Sequence, residues 1–154
     1  MMDDLKSLYQ DLIIDHSKHP RCRGKLDHAT HDHEGFNPIC GDRVHIFIQL
    51  HNETIEAIAF DGSGCSICMA TSSMMCEALK QKTIHQMHAV WSDFHGLMDG
   101  KTIDDTTSLG KLAALKAVNH YPMRVKCATL PWHTLKAALN KQKHQQQQNK
   151  RIKR

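Results

Sequence analysis

No stretch of this chain is apolar over the roughly 20 residues that a bilayer-spanning helix needs. The first charged residues, Asp3 and Asp4, are acidic where a secretory signal would be basic. The sequence also lacks a Gly-rich phosphate loop and a dinucleotide-binding fingerprint. These absences predict a cytoplasmic protein with no membrane partner, and they give no indication of a nucleotide site.

Acidic side chains are missing from residues 141–154, which hold six of the 20 Lys and Arg residues. Without this segment, 14 basic residues face 16 acidic ones, so the rest of the chain has a net charge near −2. The Gln-rich, cationic composition of residues 141–154 is typical of a solvated, disordered end. We therefore predict one domain at residues 1–140, a disordered tail at 141–154 and no nucleic-acid partner.

The remaining residues show alternating patterns of helix and strand. With 154 residues and 40% apolar content, the chain can bury one core. Apolar residues at helical spacing predict helices at residues 3–15, 65–80, 83–95, 109–119 and 127–143. Period-two alternation predicts a hairpin of residues 44–50 and 54–61, with one short strand near 26–33. This order predicts an α+β fold, a small antiparallel sheet packed by about five helices.

The six cysteines indicate metal binding or thiol chemistry, because a reducing cytoplasm disfavours structural disulfides. Cys40 and Asp42 flank Gly41, whose flexibility lets both side chains turn toward one ion. Cys65 lies at a Gly-rich helix start, where the helix dipole lowers the pKa of a thiol. Cys127 is predicted to open the last helix, with the same advantage.

Together these residues form a candidate set of three sulfur ligands and one oxygen ligand. Zinc accepts such a set, and an iron–sulfur cluster could also be held by it. With a divalent ion, three thiolates and one carboxylate, the site would carry a formal charge of about −2. Arg124 and Lys126, close to Cys127 in sequence, are candidates to compensate this charge.

A competing interpretation uses Cys65 and Cys68 as a C-x-x-C redox pair, since the motif follows a strand and opens a helix, as in thioredoxin-like proteins. Two features argue against it: the preceding strands are predicted to form a hairpin, and Gly-Ser-Gly precedes Cys65. Cys68 is also a possible fifth thiol near the ion. Cys76 is too far along the helix to share that ion and is predicted to lie in the core.

Histidine and methionine are frequent, and both could suggest further metal sites. His28, His31 and His33 lie in a polar segment, where exposure to solvent is favoured over a ligand role. The methionines at positions 69, 74, 75 and 87 follow helical spacings and are predicted to fill the core. We therefore place the candidate site on the cysteines and Asp42.

Three segments resemble the signature segments of the U-type iron–sulfur assembly family, which includes the IscU and NifU-like proteins. They are Asn37-Pro38-Ile39-Cys40-Gly41-Asp42, then Gly62-Ser63-Gly64-Cys65-Ser66-Ile67 with Ala70-Thr71-Ser72-Ser73-Met74-Met75, then Pro122-Met123-Arg124-Val125-Lys126-Cys127-Ala128-Thr129-Leu130 with Trp132. The resemblance extends from the first helix to about residue 139. Lys126 stands where IscU-type scaffolds have histidine, and 61 residues separate Cys65 from Cys127. Both features are similar to the SufU branch.

The resemblance implies a zinc ion held by Cys40, Asp42, Cys65 and Cys127. It also implies a sulfurtransferase activity, in which Cys40 is the catalytic residue and accepts persulfide sulfur from a SufS-type cysteine desulfurase. Cys40 would leave the ion when the desulfurase supplies a replacement ligand. A downstream SUF assembly scaffold would then receive the sulfur.

Two alternatives remain open at this stage. The same four residues could build a transient [2Fe–2S] cluster for release to apo-proteins, with Asp42 as a hard ligand that makes release easy. A purely structural zinc domain that docks partners would instead unfold without metal and would never carry sulfur on a thiol.

Overall fold

The computed structural model describes residues 2–101 and 108–152, and it describes side chains for residues 9–101 and 108–140. The elements are α1 (Met2–Lys18), β1 (His31–Asn37), β2 (Asp42–His51), β3 (Thr54–Ser63), α2 (Ser66–Leu79), α3 (Ile84–Met98), a 3₁₀ helix (Gly110–His120) and α4 (Pro122–Ile152). The predicted α+β fold with a small antiparallel sheet and five helices is confirmed. None of the described helices combines the length and apolarity that crossing a membrane requires.

The three strands form one antiparallel sheet in the order β1-β2-β3. The predicted hairpin is confirmed, and its turn has positive φ angles at Asn52 (50°) and Glu53 (66°), which suit the twist of paired strands. The other predicted strand, near residues 26–33, is displaced, because β1 begins only at His31. Its inward positions lack the apolar alternation that reveals a strand in sequence.

β1 lies against α4 at Gly35. A Cβ atom at this position would overlap the side chain of Thr134, so glycine permits the close approach of strand and helix. His31 and His33 share the face of β1 that carries Gly35, and both are half-buried. The expectation that these two histidines are simply exposed to solvent was therefore wrong, because packing of a helix on the sheet covers them.

α2 is the central helix of the core, and it contacts α1, β3, the 3₁₀ helix and α4. Its side chains are buried almost continuously from Cys68 to Cys76. The predicted core role of Cys76 is confirmed, as is that of the methionines at positions 69, 74, 75 and 87. α2 thus places its N-terminal end, with Cys65, at the end of the sheet where β2 begins.

α4 begins at Pro122 and continues to Ile152. Proline is well suited to the first helical position, since the missing N–H would have no partner there. The helix covers most of the segment 141–154 for which disorder is predicted, although the side chains of that segment lie outside the described residues. The domain boundary at residue 140 stays a prediction.

Candidate metal centre

The four candidate ligands come from three separate parts of the chain and meet at one end of the sheet. Cys40 lies in the turn between β1 and β2, Asp42 is the first residue of β2, Cys65 caps α2 and Cys127 lies in α4. The antiparallel register makes this convergence possible, because it places the start of β2 beside the last residue of β3.

The turn that carries Cys40 is shaped by Asn37, which is buried. The Asn37 side chain accepts a hydrogen bond from the backbone N–H of Ile39 at 3.1 Å, and its carbonyl accepts one from Gly41 at 2.8 Å. Gly41 has a φ of 72°, a left-handed conformation that glycine adopts without strain. The turn therefore presents Cys40 outward while Asp42 points into the protein.

Three of the four candidate ligands form a tight group. Ligand atoms of Cys40, Asp42 and Cys127 all lie within 4.8 Å of one another, and the Sγ atoms of Cys40 and Cys127 are 3.5 Å apart. Among the described residues, this is the one group of three or more metal-binding side chains that meets this distance. Cys65 adjoins the group through Asp42, whose Oδ2 lies 4.0 Å from the Cys65 Sγ.

The Asp42 carboxylate also holds the backbone of the following segment. Its Oδ1 accepts a hydrogen bond from the backbone N–H of Cys65 at 2.8 Å. A Cβ atom at Gly64 would lie 2.6 Å from that oxygen, so the contact requires glycine before Cys65. This role of Gly64 was not predicted from the sequence, although a Gly-Ser-Gly run is typical of a close backbone approach.

The four ligands differ sharply in exposure. Asp42 and Cys127 are 0% exposed, Cys65 is half-buried and Cys40 is exposed. A buried carboxylate and a buried thiolate next to each other are costly unless a cation or hydrogen bonds compensate them. This end of the sheet is thus organised as a buried anionic cup with one cysteine at its opening.

Electrostatics of the metal-free chain favour a protonated Cys127 thiol inside this cup. Burial raises the pKa of the Cys127 thiol well above its usual range, and the neighbouring side chains of Asp42, Cys40 and Cys65 act in the same direction. A bound cation reverses this preference, because metal ligation favours the thiolate. Protons and a metal ion therefore compete for the same sulfur.

The prediction that Cys127 opens the last helix was wrong. α4 starts at Pro122, so Cys127 is its sixth residue and lies beyond the first turn, where the helix dipole acts most strongly. Its Sγ instead approaches the carbonyl of Met123, one turn earlier, at 3.7 Å.

Cys68 lies directly behind the site. Its side chain is fully buried, and its backbone N–H donates to the Cys65 Sγ at 3.5 Å. Burial raises the pKa of the Cys68 thiol, and the charges of Asp42 and Cys65 raise it further. Because β2 and β3 form an antiparallel hairpin, the parallel crossover of a thioredoxin-like redox site is not present before Cys65.

Arg124 and Lys126 are both exposed, and neither forms an ion pair with a described acidic residue. Arg124 contributes to a surface cavity of about 360 Å³ beside the N-terminus of α2. The other lining residues are Ser66, Ile67, Ala117, Val118 and Tyr121. Their predicted role in compensating the charge of the site stays a prediction.

A family model matches the part of the chain that contains all four candidate ligands. Residues 8–128 match the family model of the NifU-like N terminal domain, which spans the turn of Cys40, the cap of α2 and Cys127. This chain belongs to the NifU-like family. The predicted membership of the iron–sulfur cluster assembly proteins is confirmed.

Relatives of this NifU-like chain extend over almost its whole length. It is 41% identical to the zinc-dependent sulfurtransferase SufU of Bacillus subtilis, over 90% of this chain and 94% of that protein. It is 35% identical to the iron–sulfur cluster assembly scaffold protein IscU of Streptococcus pyogenes, over 91% of this chain and 87% of that one.

Solved structures agree with the fold. A SufU crystal structure from Fervidobacterium islandicum superposes with a TM-score of 0.79 at 36% identity, covering 84% of this chain and 94% of that chain. A NifU-like protein from Brucella abortus superposes with a TM-score of 0.80 at 15% identity and supports the fold alone. Within the NifU-like family, this chain is therefore of the SufU type.

Proposed function

We propose that this protein is a zinc-dependent sulfur relay in iron–sulfur cluster assembly. It accepts persulfide sulfur from a SufS-type cysteine desulfurase and passes it to a downstream SUF assembly scaffold. The observation that carries the proposal is the contrast within the site: exposed Cys40 lies 3.5 Å from the Sγ of Cys127, which is fully buried beside Asp42. Cys40 is the most accessible of the thiols, whereas Asp42 and Cys127 behind it are fully buried.

The donor set fits zinc. Three sulfurs and one carboxylate oxygen are ligands that a tetrahedral zinc site accepts. In such a site the ligand atoms lie about 3.8 Å apart, given a Zn–S distance of about 2.3 Å. The separations of 3.5 Å between Cys40 and Cys127 and 4.0 Å between Asp42 and Cys65 are close to this value. Cys40, Asp42, Cys65 and Cys127 would hold the ion.

When bound, zinc would keep the ligand thiols deprotonated at neutral pH. Side chains of the protein position the cysteine ligands. Asp42 accepts the backbone N–H of Cys65 and so fixes the N-cap of α2 against β2. Asn37 holds the turn that presents Cys40. Because Cys40 is the exposed ligand, a partner can reach its thiolate without disrupting the packing around the buried ligands.

The transfer step itself is a thiol exchange with no net oxidation or reduction. The Cys40 thiolate attacks the terminal sulfur of the desulfurase persulfide. A bond forms between that sulfur and the Cys40 Sγ, the sulfur–sulfur bond of the desulfurase breaks, and the desulfurase cysteine leaves as a thiolate. Cys40 then carries the persulfide to the next acceptor.

The test measures alanine production by a SufS-type desulfurase supplied with cysteine and a reductant, with and without the zinc-loaded protein. We expect strong stimulation that disappears in Cys40→Ala. The matched control is Cys22→Ala, because Cys22 is a half-buried cysteine outside the ligand group. Stimulation retained by Cys40→Ala would overturn the assignment.

A second candidate function is a scaffold for a transient [2Fe–2S] cluster. It is favoured by the carboxylate of Asp42 among the thiols, since an oxygen ligand makes a cluster easier to release. The scaffold IscU of Streptococcus pyogenes is also a relative. Anaerobic reconstitution distinguishes the two: a cluster that forms here and moves intact to an apo-acceptor would favour the scaffold.

A further inference from the structure

A separate cavity lies at the end of the sheet opposite the metal centre. It has a volume of about 370 Å³ and is bordered by His31 at the start of β1, by Leu50 and Glu53 at the hairpin, and by one face each of α3 and α4. Asp42 and Leu50 are eight residues apart on β2, a span of about 26 Å in an extended strand. The cavity is therefore distinct from the metal centre, and its volume lies within the range of small-molecule sites.

The two helices that border the cavity each present side chains at the spacing i, i+3, i+4, which lie on one side of a helix. These side chains are Ile84, Met87 and His88 of α3, and Lys136, Leu139 and Asn140 of α4.

The apolar part of the lining, here called the apolar wall, consists of Leu50, Ile84, Met87 and Leu139. Met87 is fully buried, whereas the other three side chains are half-buried. The wall therefore keeps apolar surface that a bound molecule can remove from water, which favours binding of an apolar group.

Hydrogen bonds between the hairpin and the start of α3 fix the frame of the cavity. The Ile84 N–H donates to the Glu53 carbonyl at 2.9 Å, and the Gln81 N–H donates to the Ile55 carbonyl at 2.7 Å. Thr83 caps α3 through a capping box. The cavity is thus preformed, so binding does not have to order the backbone around it.

The polar part of the lining carries both signs of charge. Lys136 and Glu53 both border the cavity, and neither forms an ion pair with another of the described side chains. The Lys136 Nζ lies 5.4 Å from the centre of the Trp91 ring, a contact that holds the cation beside the apolar wall. The Nδ1 atom of His31 hydrogen-bonds to Thr30 Oγ1 at 2.8 Å, which leaves Nε2 for a bound molecule.

These groups select a class of ligand. An ammonium group without an ion-pair partner, next to an apolar wall, favours a carboxylate on an apolar body. Glu53 disfavours a second negative charge and so selects against a phosphate dianion. A metal ion is not indicated, because among the described residues the one group of three or more metal-binding side chains within 4.8 Å is at the metal centre.

We propose that this cavity binds a small amphipathic carboxylate, whose carboxylate group pairs with Lys136 and whose apolar body covers the apolar wall. The inference is independent of the proposed function, since the cavity and the metal centre share no residue.

The experiment titrates the zinc-loaded full-length protein with octanoate and with indole-3-propionate, and follows the backbone amide resonances. The alcohols octan-1-ol and 3-indolepropanol keep the apolar bodies but lack the charge. We expect a Kd on the order of 1 mM or below for at least one acid. The resonances that shift should be those around the cavity, including His31, Ile84 and His88.

Lys136→Met tests the charge, because it removes the ammonium group but keeps an apolar stem. The variant should bind the acids about tenfold more weakly and the alcohols as the wild type does. Lys136→Arg should restore binding of the acids. Lys116→Met is the matched control, since Lys116 is an exposed lysine of the 3₁₀ helix outside the cavity lining. It should bind all four probes as the wild type does.

Two further variants separate the roles of charge and apolar contact. Glu53→Gln should bind the acids about threefold more tightly, because it removes a nearby negative charge. Leu139→Ala should weaken the acids and the alcohols alike, by about fivefold, because it removes part of the apolar wall.

The remaining outcomes also decide the proposal. Absence of binding of both acids at about 5 mM overturns it, as do resonance shifts confined to other parts of the chain. Equal affinities for the acids and the alcohols overturn it in favour of a purely apolar cavity. Tighter binding of octanoate supports an acid of lipid origin, whereas tighter binding of indole-3-propionate supports an acid derived from an aromatic amino acid.

Discussion

The Asp42 carboxylate contacts Cys65 twice: its Oδ1 accepts the backbone N–H at 2.8 Å, and its Oδ2 lies 4.0 Å from the Sγ. One side chain therefore positions the N-cap of α2 and contributes a candidate ligand. Because Asp42 is fully buried, neither contact is weakened by competing water.

These two roles can be separated by substitution. Asp42→Asn keeps an oxygen acceptor for the Cys65 N–H but removes the negative charge, whereas Asp42→Ala removes both. We expect both variants to bind zinc more than about tenfold more weakly in competition with a chelator, since even outer partners of metal sites cost that much in affinity. Only Asp42→Ala should also lower the free energy of unfolding of the metal-free protein, by about 1 to 3 kcal/mol. Equal stabilities of the two metal-free variants would contradict the positioning role.

His16 makes the stability of the fold depend on pH. The side chain is fully buried, its Nδ1 hydrogen-bonds to Ser73 Oγ at 2.7 Å, and its Nε2 has no partner among the described residues. Burial lowers the pKa of His16 from its ordinary value of 6.5, and the charges of Arg21 and Lys111 act in the same direction. The unfolded chain therefore binds a proton more readily than the folded one.

It follows that the contribution of His16 to the free energy of unfolding is fully present above pH 6.5 and is lost as the pH drops below this value. One such group contributes at most about 1.4 kcal/mol per pH unit. Denaturant unfolding between pH 7.5 and 5 should show a flatter slope for His16→Gln than for the wild type. The slope should not vanish, because burial also lowers the pKa of His31 and His133. Parallel slopes would contradict this account.

The contact of α4 with β1 gives a prediction about packing. Gly35→Ala places a methyl group against Thr134, and the expected cost is about 1 to 3 kcal/mol of folding free energy. In a Thr134→Ala background the cost should be smaller, because the overlapping hydroxyl is gone. A double-mutant cycle measured by denaturant unfolding quantifies this coupling. Additive effects would show that α4 does not press on Gly35.

Much of this architecture could be predicted from the sequence, because its patterns are local. The alternation of residues 44–50 predicted the strand that became β2, and Gly-Ser-Gly before Cys65 predicted the start of α2. The position of β1 was predicted inaccurately because its inward residues, His31, His33 and Gly35, do not show the apolar alternation of a strand. The helix that packs on this face is distant in sequence and alone explains their burial.

The candidate site was predictable in membership but not in arrangement. Spacing and the family resemblance pointed to Cys40, Asp42, Cys65 and Cys127, and three of these form the tight group. Tertiary packing determines which thiol is exposed, and it also buries Cys127 within the second turn of α4. Neither feature could be predicted from the sequence. The accessible position of Cys40 follows from the turn that Asn37 stabilises, a detail that no residue pattern expresses.

The 3.5 Å separation of the Cys40 and Cys127 Sγ atoms predicts how the metal-free protein responds to oxidation. A disulfide needs the sulfurs at about 2.05 Å, so a small shift of the exposed turn is sufficient. After removal of zinc by a chelator, diamide should take two electrons and two protons from the pair and leave a Cys40–Cys127 disulfide. Zinc-loaded protein should resist, because ligation occupies both thiolates.

Peptide mapping under non-reducing conditions identifies the bond, and zinc uptake should fail until a reductant restores both thiols. Cys40→Ser should abolish the linked peptide, whereas Cys22→Ala should leave it unchanged. A disulfide that instead joins Cys65 to Cys68 would revive the redox-pair interpretation. It would also show that Cys127 is less accessible to Cys40 than their separation implies, which would weaken the assignment of Cys40 as the thiol that leaves the centre to accept sulfur.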